Sequence, residues 1–315
     1  MKKIFVTTFL FLFFSNIVLA WQQVSVPDHV SNKISSPWNF FEDFEDQKEG
    51  EIKLCGFSGQ KKCLQNLSIN DKAKGKKPFK IIRENDGNKF LQITVKHGWN
   101  LDPFKKKGQE TERSEIQTKQ KKTIGKIVWV GFKMRLPLDF KHIDDRVLFF
   151  QYKNQHDPMK KSPLLGLIFY ENGKRLDIGG MTGGDADRSY NEKEHKHFGI
   201  RIKYRQSSFG KWFISKEKDT NSNYRNRNFK LTENESFEIT KLGQWSKYKI
   251  GIHNSKNKDG FVKVYKDDQL IFNYNGVTYD WNGNYTGSHV RIGLYRDSGM
   301  QNDIEYPNQI IHFDN

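Results

Sequence analysis

Towards the C-terminal end of the chain, His289-Val290-Arg291-Ile292-Gly293-Leu294-Tyr295-Arg296 interleaves two opposite chemical inventories. Successive side chains of an extended strand leave opposite faces, so Val290, Ile292 and Leu294 share one face and His289, Arg291, Gly293 and Tyr295 the other. An imidazole, a guanidinium and a phenol in register, with a glycine leaving room beside them, suit an anionic ligand. Two other stretches carry matching groups. In Glu112-Arg113-Ser114-Glu115-Ile116-Gln117, the residues Arg113, Glu115 and Gln117 fall on one face and Ile116 on the other. In Val147-Leu148-Phe149-Phe150-Gln151-Tyr152-Lys153, Gln151 interrupts an apolar run at a place where a buried amide must find hydrogen-bond partners. Taken singly, Arg113 and Glu115 read equally well as a cross-strand ion pair, and Tyr295 as an ordinary strand aromatic. Convergence of all three stretches on one surface is what would make a site.

The elements that must position these groups are strands. Helical periodicity is scarce, while short alternating segments separated by Gly, Asn and Asp recur along the chain. Lys89–Val95 sets Phe90, Gln92 and Thr94 against Leu91, Ile93 and Val95; Val128–Leu136 puts Val128, Val130, Phe132, Met134 and Leu136 on one face. Leu164–Tyr170 and Arg175–Ile178 flank an Asn172-Gly173 pair, which tolerates the positive φ angles of a tight turn. Trp245–His253, Phe261–Lys266 and Gln269–Tyr274 form a further run with Asp267-Asp268 as its turn, and Gln309–Phe313 reads as a strand that closes a sheet. The stretch from Gly179 to Asn228 alternates weakly and is expected to form long loops. Many strands with almost no helix predict an all-β, two-sheet antiparallel sandwich of jelly-roll, concanavalin-like type. No blade repeat supports a propeller.

Residues 1–20 have the form of a secretory signal: Lys2 and Lys3, an apolar run from Ile4 to Phe14, and Val18-Leu19-Ala20 before the expected cut. Residues 21–315 then form one domain, without a membrane span, in a secreted or periplasmic protein that reads as a monomer. The whole chain has 53 Lys and Arg against 37 Asp and Glu, a formal charge of +16. Losing the leader lowers this only by its two lysines. Such a balance favours a polyanionic partner, and export favours acidic polysaccharide over nucleic acid. Cys55 and Cys63 are spaced for one local disulfide in an oxidising compartment. The histidines are scattered, and Asp185-Ala186-Asp187 lacks the further oxygen ligands of a calcium loop, so no metal site is expected from the side chains. A structural calcium held by backbone carbonyls would leave no trace in a sequence.

Arg113-Ser-Glu-Ile116, the Phe150-Gln-Tyr152 strand and Gly293-Leu-Tyr-Arg296, in that order, resemble the secreted polysaccharide lyases with a β-jelly roll, the group that includes glucuronan lyases and heparin lyase. Gln244-Trp-Ser-Lys-Tyr-Lys-Ile250 followed by Asp259–Tyr265 is similar to their penultimate region. The resemblance spans Phe90 to Phe313. Alginate lyases of jelly-roll type pair the glutamine with a histidine two residues on, a position held here by Lys153.

The resemblance implies β-elimination at a uronic acid without a required cofactor, with calcium at most structural. The C5 proton is weakly acidic because its loss places a second negative charge beside the carboxylate, so the carboxylate must be neutralised and a base and an acid supplied. Gln151 then donates to the carboxylate, Arg113 or Arg291 pairs with it or with a neighbour, and Tyr295 acts as the acid, since a phenol beside cations ionises more readily. His97 is the first choice for the second proton-transfer group, because the histidine of glucuronan lyases precedes the glutamine strand; His156 and His289 follow. Catalysis thus falls to Tyr295, Gln151 and His97, and substrate binding to Arg113, Glu115, Lys153, Arg291 and His289. A glycan-binding protein without catalysis would use the same basic, aromatic face. A glycoside hydrolase would need two carboxylates flanking the bond, and the sequence offers no convincing pair.

Overall fold

A computed structural model describes residues 44–45, 49–51, 65–66, 78–99, 111–118, 120–157, 163–181, 199–208, 210–214, 236–279, 284–298 and 304–314. The expected leader, Cys55, Cys63 and Asp185-Ala186-Asp187 lie outside the described residues.

All the strand pairs are antiparallel and fall into two sheets. The eight-stranded sheet runs, edge to edge, β1 (Gly50–Glu51), β3 (Phe79–Arg83), β4 (Lys89–Val95), β17 (Gln309–Asp314), β6 (Ile127–Arg135), β13 (Trp245–His253), β14 (Phe261–Lys266) and β15 (Gln269–Asn275). The nine-stranded sheet runs β12 (Ser236–Glu238), β11 (Lys211–Ile214), β10 (Gly199–Gln206), β9 (Arg175–Met181), β8 (Leu165–Tyr170), β7 (Val147–Asp157), β16 (Asn284–Asp297), β5 (Thr111–Gln117) and β2 (Gln65–Asn66). A single 3₁₀ turn, Glu171–Gly173, is the one helical element among the described residues. The sandwich expected from alternation is present.

Alternation also sets the core. Leu91, Ile93 and Val95 of β4 are buried, as are Val128, Phe132 and Met134 of β6 and Ile250 and Ile252 of β13. From the other sheet Phe150 stacks on Phe132 at 5.4 Å and Phe149 meets Tyr248 edge-on at 5.8 Å. The turns carry the strain their residues allow. Glu171, Asn172 and Gly173 all have positive φ between β8 and β9, and so do Asp267 and Asp268 between β14 and β15.

The strand expected at Gln309–Phe313 is β17, and it closes the eight-stranded sheet from within, between β4 and β6. Its alternating Gln309, Ile311 and Phe313 are buried, which an interior strand facing a core requires. The Gly179–Asn228 stretch is not all loop: β10 and β11 fall within it. Ile202, Tyr204 and Trp212 supply their buried face, while Arg201, Lys203, Arg205 and Lys211 dilute the apolar signal.

One irregularity shapes the functional face. β7 pairs with β16 as Phe150↔Ile292 and then Leu148↔Tyr295, so Gly293 and Leu294 together oppose Phe149. Against β8, Phe149 is itself the extra residue, between Leu148↔Ile168 and Phe150↔Leu167. The bulge lets Phe149 and Phe150 both enter the core while Leu148 and Gln151 both face outward. It also moves Tyr295 one residue closer to Gln151 than regular pairing would allow. Gly293 makes this possible: its φ is +145°, and a β-carbon there would sit 2.2 Å from the Ser114 carbonyl oxygen. Gly293→Ala is therefore expected to cost at least about 2 kcal/mol of stability, checked by the urea midpoint of the purified variant.

Candidate active site

The site is built on the outward face of three adjacent strands, β7, β16 and β5. Register places Gln151 beside Arg291 and Arg291 beside Gln117, with Glu115 beside Gly293, Arg113 beside Tyr295 and Lys153 beside His289. The three polar stretches of the sequence converge on one surface.

Glu115 is its anchor. The carboxylate is fully buried. Its Oε1 accepts a 2.6 Å hydrogen bond from Gln151 Nε2, and its Oε2 lies 3.3 Å from Arg113 Nε and 3.9 Å from Arg291 Nη1. Oε2 itself makes no hydrogen bond among the described residues. Because an ionised carboxylate only accepts, Glu115 dictates which way the Gln151 amide points: nitrogen inward, with one further N–H to donate. The demand of a buried amide for partners, read in the sequence, is met from the neighbouring strands.

Tyr295 lies at one end of the cluster. Its ring packs on Leu148, Ile168 and Tyr170, and two guanidinium groups attend it, Arg113 at 4.0 Å and Arg146 at 4.7 Å from the ring centre. Arg146 Nη2 also donates to Asp297 Oδ1 at 2.6 Å. Burial pushes the Asp297 carboxyl up to about 6, helped by Asp145 and opposed by Arg146. Arg146 is the residue that the sequence reading missed. It precedes β7, in a turn where no periodicity marks a face.

His289 lies at the other end, only 2% exposed. Arg291 Nε donates to its Nε2 at 3.1 Å, so the proton of the neutral ring sits on Nδ1 and the ring leans towards Arg291. Burial, then the charges of Arg291 and Lys153, drive its pKa down to about 3. Beneath it, on the core side of the same strands, Ser288, Asn154, Thr123 and Tyr152 form a closed hydrogen-bond network that fixes β16 against β7.

The structure does not bring His97 to this face. His97 Nδ1 is 3.3 Å from Glu112 Oε1, which also accepts the Gly98 N–H at 2.6 Å. Glu112 is the neighbour of Arg113 on β5 and so points the other way, into a fully buried pair with Arg296 at 2.6 Å. The Gly98 N–H thus fastens the segment after β4, with His97 beside it, to an ion pair under the sheet. Of His156 the backbone pairing with Tyr285 is described. Among the described residues, the imidazole on the working face is His289. Lys153, which holds the place two residues after the glutamine, faces His289 across the strand boundary, so the neighbouring strand supplies an imidazole next to the position where the sequence lacks one. Among the described residues no cluster of His, Cys, Asp or Glu is arranged to hold a metal ion, and no described helix is long and apolar enough to cross a membrane.

Residues 58–315 match the polysaccharide lyase family, and the chain belongs to that family and is a polysaccharide lyase. Among solved structures it is similar to the endo-β-1,4-glucuronan lyase of the fungus Trichoderma reesei, at 13% identity and a TM-score of 0.50, over 85% of this chain and 92% of that one. It is also similar to the alginate lyase AlyC3, at 12% identity and a TM-score of 0.44, over 90% and 94% of the two chains. The alginate lyase A1-II′, of polysaccharide lyase family 7, matches at 12% identity and a TM-score of 0.40, over 74% and 79%. The glucuronan lyase likeness supports the jelly-roll fold. No curated protein matches the chain. Family membership sets aside the reading as a glycan-binding protein without catalysis.

The low pKa of His289 has a consequence for stability. The folded protein keeps the ring neutral while an unfolded chain protonates it near 6.5, so its share of stability is present above that pH and is lost as pH falls towards 3. Burial shifts His142 and His312 the same way, to about 4 and about 3. Each contributes a slope of about 1.4 kcal/mol per pH unit within its window. Between pH 7 and pH 5, His289→Asn is expected to lose about 2 kcal/mol less than the wild type, as measured by denaturant unfolding at the two pH values.

Proposed function

We propose that this lyase cleaves a uronate-containing polysaccharide by β-elimination, leaving an unsaturated uronate at the new non-reducing end. The observation that carries the reading is the buried Glu115 network, which holds the Gln151 amide and the Arg291 guanidinium side by side on the outward face of the nine-stranded sheet. A uronate carboxylate placed there receives one charge-assisted and one neutral donor, the neutralisation that makes its C5 proton removable.

Proton transfer falls to the two ends of the cluster. His289, held neutral, takes the C5 proton from a substrate whose carboxylate has drawn Arg291 away from Nε2. Tyr295 donates to the leaving glycosidic oxygen, and the guanidinium groups of Arg113 and Arg146 stabilise the phenolate that forms. Lys153 and Gln117 bind neighbouring sugar units. The leader read at residues 1–20 fits an enzyme that meets its polymer outside the cytoplasm, secreted or in the periplasm.

The chemistry is tested by incubating the protein with a panel of uronate polymers and following the ultraviolet absorbance of the conjugated double bond. Absorbance should rise with at least one acidic polymer; new reducing ends without absorbance would overturn elimination. Tyr295→Phe and His289→Ala should each lower kcat by about 10²-fold or more with KM nearly unchanged, whereas His97→Ala should stay within a few-fold of the wild-type kcat. A full loss of kcat in His97→Ala, with His289→Ala fully active, would reverse the assignment of the histidines. Glu115→Gln, which removes the constraint on the Gln151 amide, should lower kcat by about tenfold or more while melting within several degrees of the wild type.

A further inference from the structure

The outward face of the eight-stranded sheet carries a second aromatic and cationic surface, on the opposite side of the sandwich from Gln151. Register lines up Trp129, Gly251 and Lys263 in one row across β6, β13 and β14, and Gly131, Lys249 and Tyr265 in the next. The core-facing neighbours Val128, Ile250, Ile252, Val262 and Val264 confirm that these residues point outward. Trp129 is folded down over β13. A β-carbon at Gly251 would meet three consecutive atoms of its six-membered ring at 2.5–2.9 Å, so the indole occupies the space a side chain there would need. Gly131 is exposed, and the nearest atom to a β-carbon built there is 3.9 Å away. Two glycines thus leave a shallow trough in which Trp129 and Tyr265, with ring centres 6.4 Å apart, stay partly exposed.

The charges distinguish this patch from its surroundings. Lys249 Nζ stands 5.0 Å from the Trp129 ring centre and Lys263 Nζ 5.3 Å from that of Phe261, and neither forms a salt bridge with a described carboxylate. Their neighbours on the same face are engaged: Lys133 with Asp314 at 3.1 Å and Lys247 with Asp268 at 3.0 Å. Further along, Arg135 is held between Phe90 and Trp245, at 4.8 and 4.4 Å, and pairs with Glu84. That second cluster is complete in itself; the Trp129 patch is not.

We propose that Trp129, Tyr265, Lys249 and Lys263 form a non-catalytic binding surface for an acidic polysaccharide, gripping the polymer away from the point of cleavage. A pyranose presents a face of C–H groups that stacks on an aromatic ring, and its carboxylate meets an ammonium standing beside that ring. A neutral glycan would use the rings and leave the lysines without a counterpart. The proposal rests on the reading of the substrate as a uronate polymer.

The test is electrophoresis of the whole protein in native gels cast with polyglucuronate, alginate, heparin or neutral dextran, alongside Lys249→Glu/Lys263→Glu and Trp129→Ala. At least one acidic polymer should retard the wild type and dextran should not. Both variants should bind that polymer at least about fivefold more weakly, while cleaving a tetrasaccharide of it at a rate within twofold of the wild type. Equal retardation of variants and wild type, retardation by none of the acidic polymers, or a tetrasaccharide rate that falls with binding would overturn the proposal. The charge-reversed variant removes no core contact, so it decides the matter if Trp129→Ala fails to fold. Retardation that depends on this face, without new absorbance from any polymer, would leave the surface standing and sink the elimination reading. New absorbance with retardation unchanged in the variants would do the reverse.

Discussion

A carboxylate with no access to water sits at the centre of the working face, and most of the site follows from the need to compensate it. Burying a charge costs several kcal/mol unless partners are held close. Glu115 draws those partners from three strands: Arg113 from its own, Gln151 from β7 and Arg291 from β16. Because each partner is useful only at one register, the same requirement that stabilises the carboxylate also disfavours slippage of the strands. A one-residue shift of β16 would turn Arg291 into the core and carry Ile292 to the surface. The groups that would touch a substrate are therefore positioned by the folding energetics of the sheet itself.

Much of this was legible in the alternation. The outward sets Arg113, Glu115, Gln117 and His289, Arg291, Tyr295 follow from a period of two, and so do the inward sets of β4 and β6. What alternation could not show is where the period breaks. Phe149 and Phe150 both enter the core, and only the partner strands reveal the bulge that lets them do so. Gly293 reads in the sequence as empty space beside a site; in the fold it is the point where β5 and β16 come too close for any side chain. The histidine could not be chosen in advance for a related reason. His97 follows a strand in a turn, and its placement depends on Glu112, a residue whose inward orientation is legible but whose reach back to that turn is not. Arg146 escaped notice because it is brought to Tyr295 by the tertiary path of the chain before β7.

The two outward faces of the sandwich manage positive charge differently. On the nine-stranded sheet, Arg113 and Arg291 are bound to a buried anion, and Arg175 contacts both Glu171 and Asp177. Such groups are oriented before any ligand arrives, so little side-chain entropy is lost when they engage one. On the eight-stranded sheet, Lys249 and Lys263 sit on long, rotatable stems beside aromatic rings, where they gain long-range attraction but little geometric precision. Precision and general attraction are thus divided between opposite surfaces of one sandwich.

The place of β17 bears on the order in which the molecule can be assembled. The eight-stranded sheet consists of a three-stranded part, β1, β3 and β4, and a four-stranded part, β6, β13, β14 and β15, and in the strand order β17 alone joins them. Each part can form its own pairings, but the seam between them stays open until β17 inserts. Until then both parts hold unpaired strand edges, the condition that favours aggregation. Insertion of β17 pairs it with β4, more than 200 residues earlier in the sequence, a long-range event that makes the sheet slow to complete by topology.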